Sequence, residues 1–129
     1  MSGGDLRGFY RRYLEMLNAR EFDRLDEFFH ERVTMNGVPG SREQILASLR
    51  EHTGAVPDLT WQLEELVVEG DRLAARLLDT GTPAQEWLGL APTGAAVELT
   101  ECAFYRVRDG RIEDSWYLMD AAAARRQLG

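Results

Sequence analysis

Between Asp5 and Ala19, the residues Leu6, Phe9, Tyr10, Tyr13, Leu14, Met16 and Leu17 recur at helical spacing, with Arg7, Arg11, Arg12 and Glu15 between them. This is an amphipathic helix with one face reserved for a core, and Asp5 or Ser2 is placed to cap it. A second helical stretch, Glu21 to Phe29, carries Phe22, Leu25, Phe28 and Phe29 on its apolar side. The linker Asn18-Ala19-Arg20 is short enough to fold the two helices back on each other. Val33-Thr34-Met35-Asn36 reads as a short extended piece, followed by the turn residues Gly37-Val38-Pro39-Gly40. Ser41-Arg42-Glu43-Gln44 then forms a capping-box pattern. It opens a third helix whose apolar face is Ile45, Leu46 and Leu49 and whose stop is Thr53-Gly54.

From Pro57 onward the period changes to two. Leu59, Trp61 and Leu63 alternate with Thr60, Gln62 and Glu64, and Gly70-Asp71 reads as a tight turn into a strand from Arg72 to Thr80. A loop holding Gly81, Pro83, Gly89, Pro92 and Gly94 leads to a strand over Val97–Val107. Asp109-Gly110 then turns into Arg111–Met119, and an alanine-rich helical tail follows Asp120. Helices first and a strand meander afterwards is an α+β order. No helices separate the late strands, which excludes a parallel βαβ fold. Long antiparallel strands with three helices to cover one face must curl. The expected result is a cone-shaped, curved antiparallel sheet wrapped around the N-terminal helices and enclosing a pocket.

Length and charge narrow the setting. A chain of 129 residues is expected to form one domain over residues 1–129 with a single core. Fifteen basic residues against 22 acidic ones give a net charge of −7, and no basic stripe gathers the arginines, so nucleic acid is not an expected partner. Cys102 is the sole cysteine, which rules out an intrachain disulfide and a thiolate-rich metal site. No signal-peptide pattern follows Met1, and no apolar run suits a membrane span. A cytoplasmic location and no membrane association are the expectation by elimination.

Several segments together carry a resemblance. They are Leu17-Asn18-Ala19 at the end of the first helix, Pro39-Gly40 before the third, Val56-Pro57-Asp58-Leu59 entering the first long strand, and Glu69-Gly70-Asp71-Arg72. Glu86-Trp87-Leu88-Gly89-Leu90-Ala91-Pro92-Thr93-Gly94 and Tyr105-Arg106-Val107-Arg108-Asp109-Gly110-Arg111-Ile112, with Trp116 following, complete the set. In this order and spacing the chain, from about Phe9 to Asp120, resembles the SnoaL-like polyketide cyclases of the nuclear transport factor two superfamily. The resemblance implies a cone-shaped α+β fold, a small-molecule substrate, no cofactor, and pairing of two copies through the outer face of the sheet. Ring-closing members use a late-strand histidine and an aspartate after the final strand's tryptophan. Aligned on Tyr105-Arg106 and Trp116, those positions here are Ala103 and Tyr117, and the histidine usual after the second helix falls on Asn36.

Strand alternation puts Leu99, Glu101, Ala103 and Tyr105 on one face, which in the family looks into the pocket. Glu101 would then be a carboxylate among apolar walls, with its pKa raised by desolvation toward acid–base work near neutrality; the competing reading is a rim glutamate paired with an arginine. Counting across Asp109-Gly110 sets Glu101 near Leu118 and Ala103 near Trp116 unless a bulge intervenes. Tyr117 is a candidate donor to a developing oxyanion, against ordinary packing. Asp79 reads first as preparation for the turn at Thr80-Gly81 and second as a carboxylate cooperating with Glu101. His30 and His52, at helix ends, read as surface or capping residues, and neither has a second ligand at metal spacing. Tyr13, Met35, Asn36, Trp61, Trp87, Tyr105 and Met119 are the expected substrate-binding residues, whose large soft surfaces suit a flat apolar ligand, whereas Trp116 reads as core packing. Cys102, Phe104, Trp116 and Leu118 fall on the outward face by alternation. The function expected is a cofactor-independent cyclase or isomerase acting on a polyketide-like or aromatic intermediate. The alternatives are an epoxide-opening hydrolase or cyclase and a non-catalytic small-molecule binding module.

Overall fold

The structure, a computed structural model, describes residues 3–129; Ser2 as a cap lies outside them. In chain order come α1 (Gly3–Asn18), α2 (Phe22–Leu25) with a 3-10 turn (Asp26–Phe28), β1 (Phe29–Met35), β2 (Val38–Ser41), α3 (Arg42–Ala55), β3 (Thr60–Glu69), β4 (Arg72–Gly81), β5 (Val97–Arg108), β6 (Arg111–Met119) and α4 (Ala121–Leu128). Asp5 lies in the first turn of α1, where a carboxylate complements the helix dipole. The Ser41 capping box forms in full: the Gln44 backbone N–H donates to Ser41 Oγ at 3.3 Å and the Ser41 N–H donates to Gln44 Oε1 at 2.9 Å.

Three boundaries differ from the sequence expectation. The second helix ends early, because Phe29 already starts β1, which is longer than Val33–Asn36. The turn after β1 is Asn36-Gly37 alone, with φ of 51° and 80°, a two-residue hairpin geometry; Val38–Ser41 pairs with β1 rather than looping. Helix α3 passes through Gly54 to Ala55, closed by the Val56 N–H on the His52 carbonyl at 2.9 Å.

The six strands form one open, curved sheet in the order β2-β1-β6-β5-β4-β3. All neighbours are antiparallel except β1 and β6, which run parallel. The sheet is therefore not purely antiparallel: the chain leaves β1, builds the rest of the sheet, and returns with β6 on β1's free side. Helix α1 lies across the concave face and buries Leu6, Tyr10, Tyr13 and Leu17 there. The Tyr10 ring stands 5.3 Å from Tyr105, and Tyr13 meets Phe28 and Phe29 at 5.7 Å each.

One irregularity decides which side chains face inward. Arg108 pairs with Arg111 and Val107 with Ile112, yet Arg106 pairs with Asp114, so Glu113 is an extra residue in β6. The bulge is tied down by an Arg108–Glu113 ion pair at 2.8 Å and by the Thr34 hydroxyl donating to Asp114. Beyond it the register moves by one: Glu101 faces Met119 and Ala103 faces Tyr117, not Leu118 and Trp116. A one-residue slip exchanges the two faces of a strand. Hence Ile112 and Ser115 are both buried although their parity differs, while Phe104, Trp116 and Leu118 point outward at 56%, 48% and 77% exposure. Trp116 is thus an outer-face residue, its ring seated over Gly37, and not core packing.

Candidate functional site

The concave face closes over a narrow cavity of about 40 Å³. Its sheet wall is Trp61, Leu77, Glu101, Tyr105, Ser115, Tyr117 and Met119; Tyr10, Tyr13, Leu14 and Leu17 of α1 and Ile45, Ser48, Leu49 and His52 of α3 face them, with Phe29 and Met35 from β1. The walls stand close together, so a polycyclic guest requires flexible side chains such as Met35 and Met119 to swing aside.

Five of the expected substrate-binding residues line this space: Tyr13, Met35, Trp61, Tyr105 and Met119. Two do not. The Asn36 amide is committed elsewhere, accepting from the Tyr117 N–H at 2.8 Å and donating to the Tyr117 carbonyl at 3.2 Å. Asn36 therefore extends the β1–β6 ladder with a side chain and holds the backbone that carries Tyr117. Trp87 is buried behind α3, where its indole N–H donates to His52 Nδ1 at 2.9 Å.

Glu101 and Tyr117 reach the cavity; Asp79 sits just behind it. Asp79 pairs in register with Trp61 and Leu99, one inward step along the sheet from Leu77, which faces Glu101. It is wholly buried, and Glu101 is 7% exposed. The reading of Asp79 as a turn residue is overturned: the nearby turn is served by Asp58, whose Oδ1 accepts from the Thr82 N–H at 2.8 Å. A rim position paired with arginine is equally excluded for Glu101, which is buried and makes no ion pair among the described residues.

The two carboxyls have little besides each other. Neither oxygen of Asp79, nor Glu101 Oε1, has a hydrogen-bond donor among the described residues. Two bare carboxylates side by side in an apolar wall are untenable, so a proton between them satisfies both. Desolvation, then Glu101 as hydrogen-bond partner and neighbouring charge, pushes Asp79 up to about 10. Burial also raises Glu101, but Asp79 and the Trp61 indole favour its charged form. The pair thus shares one proton, and Glu101 is the member that lines the cavity. Burial likewise raises Tyr10, Tyr13 and Tyr105 well above the phenol range, which keeps their hydroxyls neutral.

His52 was not singled out by its sequence position. His30 is half-buried in β1, a ring nitrogen 2.7 Å from the Arg108 carbonyl, and the surface reading fails for His52, which lines the cavity and meets the Tyr117 ring edge-on at 6.4 Å. The available signal was spacing: His52 continues the Ile45, Leu49 stripe of α3. Burial lowers its pKa, so the ring is neutral near pH 7. Among the described residues no group of three or more His, Cys, Asp or Glu side chains is placed to hold a metal ion, and no helix is long and apolar enough to cross a membrane.

Comparison with known proteins gives a consistent picture. The family model for SnoaL-like polyketide cyclases matches residues 7–128. A SnoaL-like polyketide cyclase from Agrobacterium tumefaciens strain C58 is 34% identical over the full length of both chains, with a TM-score of 0.91. IdmH from Streptomyces antibioticus, a candidate polyketide cyclase, is 28% identical over 95% of this chain and 97% of its own, with a TM-score of 0.85. TsrD from Streptomyces laurentii is 26% identical over 100% of this chain and 98% of its own, with a TM-score of 0.89. No curated protein matches the sequence.

Proposed function

The chain belongs to the SnoaL-like polyketide cyclase family, and from that premise we propose that it is a cofactor-independent cyclase or isomerase acting on a polyketide-like or aromatic intermediate. The observation that carries the proposal is the buried Asp79–Glu101 pair, whose inner member is closed off and whose outer member lines an apolar cavity. In this reading Glu101, as carboxylate, removes a proton from carbon next to a substrate carbonyl. The electron pair moves onto that oxygen, where the Tyr117 hydroxyl donates to it. The nucleophilic carbon then bonds to a second carbonyl carbon of the same molecule, and the proton on Glu101 passes to the alkoxide so formed. Asp79 touches no substrate; its role is to hold Glu101 and tune its basicity. Confinement of one reactive conformer can supply about 7–11 kcal/mol of the barrier, so a single proton-transfer group suffices.

Exchange of the acidic hydrogens of β-tetralone in deuterium oxide, followed by mass spectrometry, tests the base directly. The wild type should accelerate it, and Glu101→Gln should lower the enzymatic rate by roughly 10²–10⁴-fold. Equal rates in the two proteins, or none in either, would overturn the proposal. The second outcome supports a non-catalytic binding module, a reading favoured by Ala103 and Tyr117 standing where ring-closing relatives carry their acid and base. The same two proton-transfer groups would also serve epoxide opening, with Tyr117 as acid and Glu101 as base. Pairing of two copies through Phe104, Trp116 and Leu118 belongs to the same proposal; Leu118→Asp should lower the sedimentation coefficient from that of a dimer to that of a monomer.

A further inference from the structure

Of the chain's two histidines, His52 alone faces the cavity, and its other side is engaged by a dedicated device. Between β4 and β5, Trp87 and Leu90 exchange two backbone hydrogen bonds of 2.9 Å each. The intervening Leu88 and Gly89 have φ of 53° and 76°, the paired left-handed geometry that a two-residue turn demands. This turn is far from His52 in sequence, yet it fixes a buried indole whose N–H lies 2.9 Å from His52 Nδ1. An indole N–H can only donate. Nδ1 must therefore accept, and the single proton of the neutral ring sits on Nε2, which has no partner among the described residues and is left for the cavity.

We infer that His52, its tautomer set by Trp87, is a neutral hydrogen-bond donor for a carbonyl or enolate oxygen of the bound molecule, on the α3 wall across from the sheet that carries Glu101. Tyr117 lines the same cavity with its ring edge-on to this imidazole at 6.4 Å. Neutrality matters here. An imidazolium would lose the indole hydrogen bond, and its charge would favour an ion pair with Glu101 over proton abstraction. The remaining neighbour with a charge is Glu51, which favours the imidazolium, but desolvation outweighs it. The catalytic consequence rests on the proposed function above; the donor site itself does not.

Two measurements test this separately from the proton-abstraction proposal. Heteronuclear NMR of the imidazole nitrogens, assigned by their loss in His52→Phe, should show the Nε2–H tautomer in the free wild type at neutral pH. Trp87→Phe should release it to a mixture of tautomers. A wild-type Nδ1–H tautomer or imidazolium overturns the inference, whether or not the Trp87 variant folds. β-Naphthol, an aromatic hydroxyl probe whose oxygen mimics an enolate, should bind the cavity of the wild type about fivefold to tenfold more tightly than that of His52→Phe. Equal binding, or none to the wild type, overturns the ligand assignment. Glu101→Gln should bind β-naphthol while losing deuterium exchange, so failure of the base and failure of the donor give different results.

Discussion

The cavity's two titratable centres, the Asp79–Glu101 pair on the sheet and His52 on α3, respond to the same physical force in opposite directions. Desolvation is the leading cause at both. It opposes whichever form is charged, so it raises the carboxyls and lowers the imidazole. The supporting contacts differ. The carboxyls rely on each other and on Trp61, all three on neighbouring strands of one sheet, whereas His52 relies on an indole from a distant loop. The sheet centre is tuned by register, the helix centre by a turn. Each can be disturbed without touching the other.

The strongest way to break the contrast is to delete Glu113 and Asp114 together. Losing these two residues sets Ser115 in place of Asp114 opposite Arg106, turns Ser115, Tyr117 and Met119 to the outer face and drives Trp116 and Leu118 inward, leaving Asp79 and Glu101 in place. Forcing Trp116 and Leu118 into the occupied interior and stranding the three displaced side chains should cost at least about 3 kcal/mol by denaturant titration. Near-native stability would contradict the register described above.

Next in size is the pH dependence of the carboxyl pair. Asp79 titrates from 3.8 when unshifted to about 10 in the fold, and Glu101 is also raised. The folded chain then binds more protons than the unfolded one across that window, so stability falls as pH rises through it. Asp79→Asn removes Asp79's share of this titration and should raise Tm at about pH 9 by roughly 5 °C or more relative to wild type, with little change at about pH 4. His52 carries the opposite sign. Its folded pKa is below the ordinary 6.5, so its contribution is present above that value and is lost as pH falls through the folded pKa. His52→Phe should flatten the acid side of the Tm profile below about pH 6.5. Parallel acid limbs in the two proteins would deny that His52 is buried and neutral. The smallest effect is expected from Trp87→Phe, which should move that limb by only a fraction of the His52→Phe change.

Which parts of this were readable from the sequence follows from how far each determinant reaches along the chain. The α1 stripe, the Ser41 capping box, and the Gly70-Asp71 and Asp109-Gly110 turns are local, and the strand alternation that turns Glu101 inward and Phe104 outward needs only β5 itself. The Glu113 bulge has no local signature, being fixed by partners on β5 and β1. That is why simple counting from the turn placed Trp116 opposite Ala103. The Asp79–Glu101 contact depends on the β4–β5 register, set across the long loop between them, so a local turn explanation for Asp79 had the better claim. The Trp87–His52 bond spans 35 positions and joins two elements that carry no pattern in common. Family resemblance could not supply it either, since the motif containing Trp87 says nothing of what its indole touches.

Asn36 shows what the departures from the family pattern entail. Its short primary amide offers donor and acceptor at one end, matching the N–H and carbonyl of Tyr117 at once, and Asn tolerates the left-handed backbone found there. An imidazole in that place presents its two nitrogens in the wrong geometry for such a bracket. Asn36→His would thus unfasten the last strand at the point where it carries Tyr117 into the cavity wall.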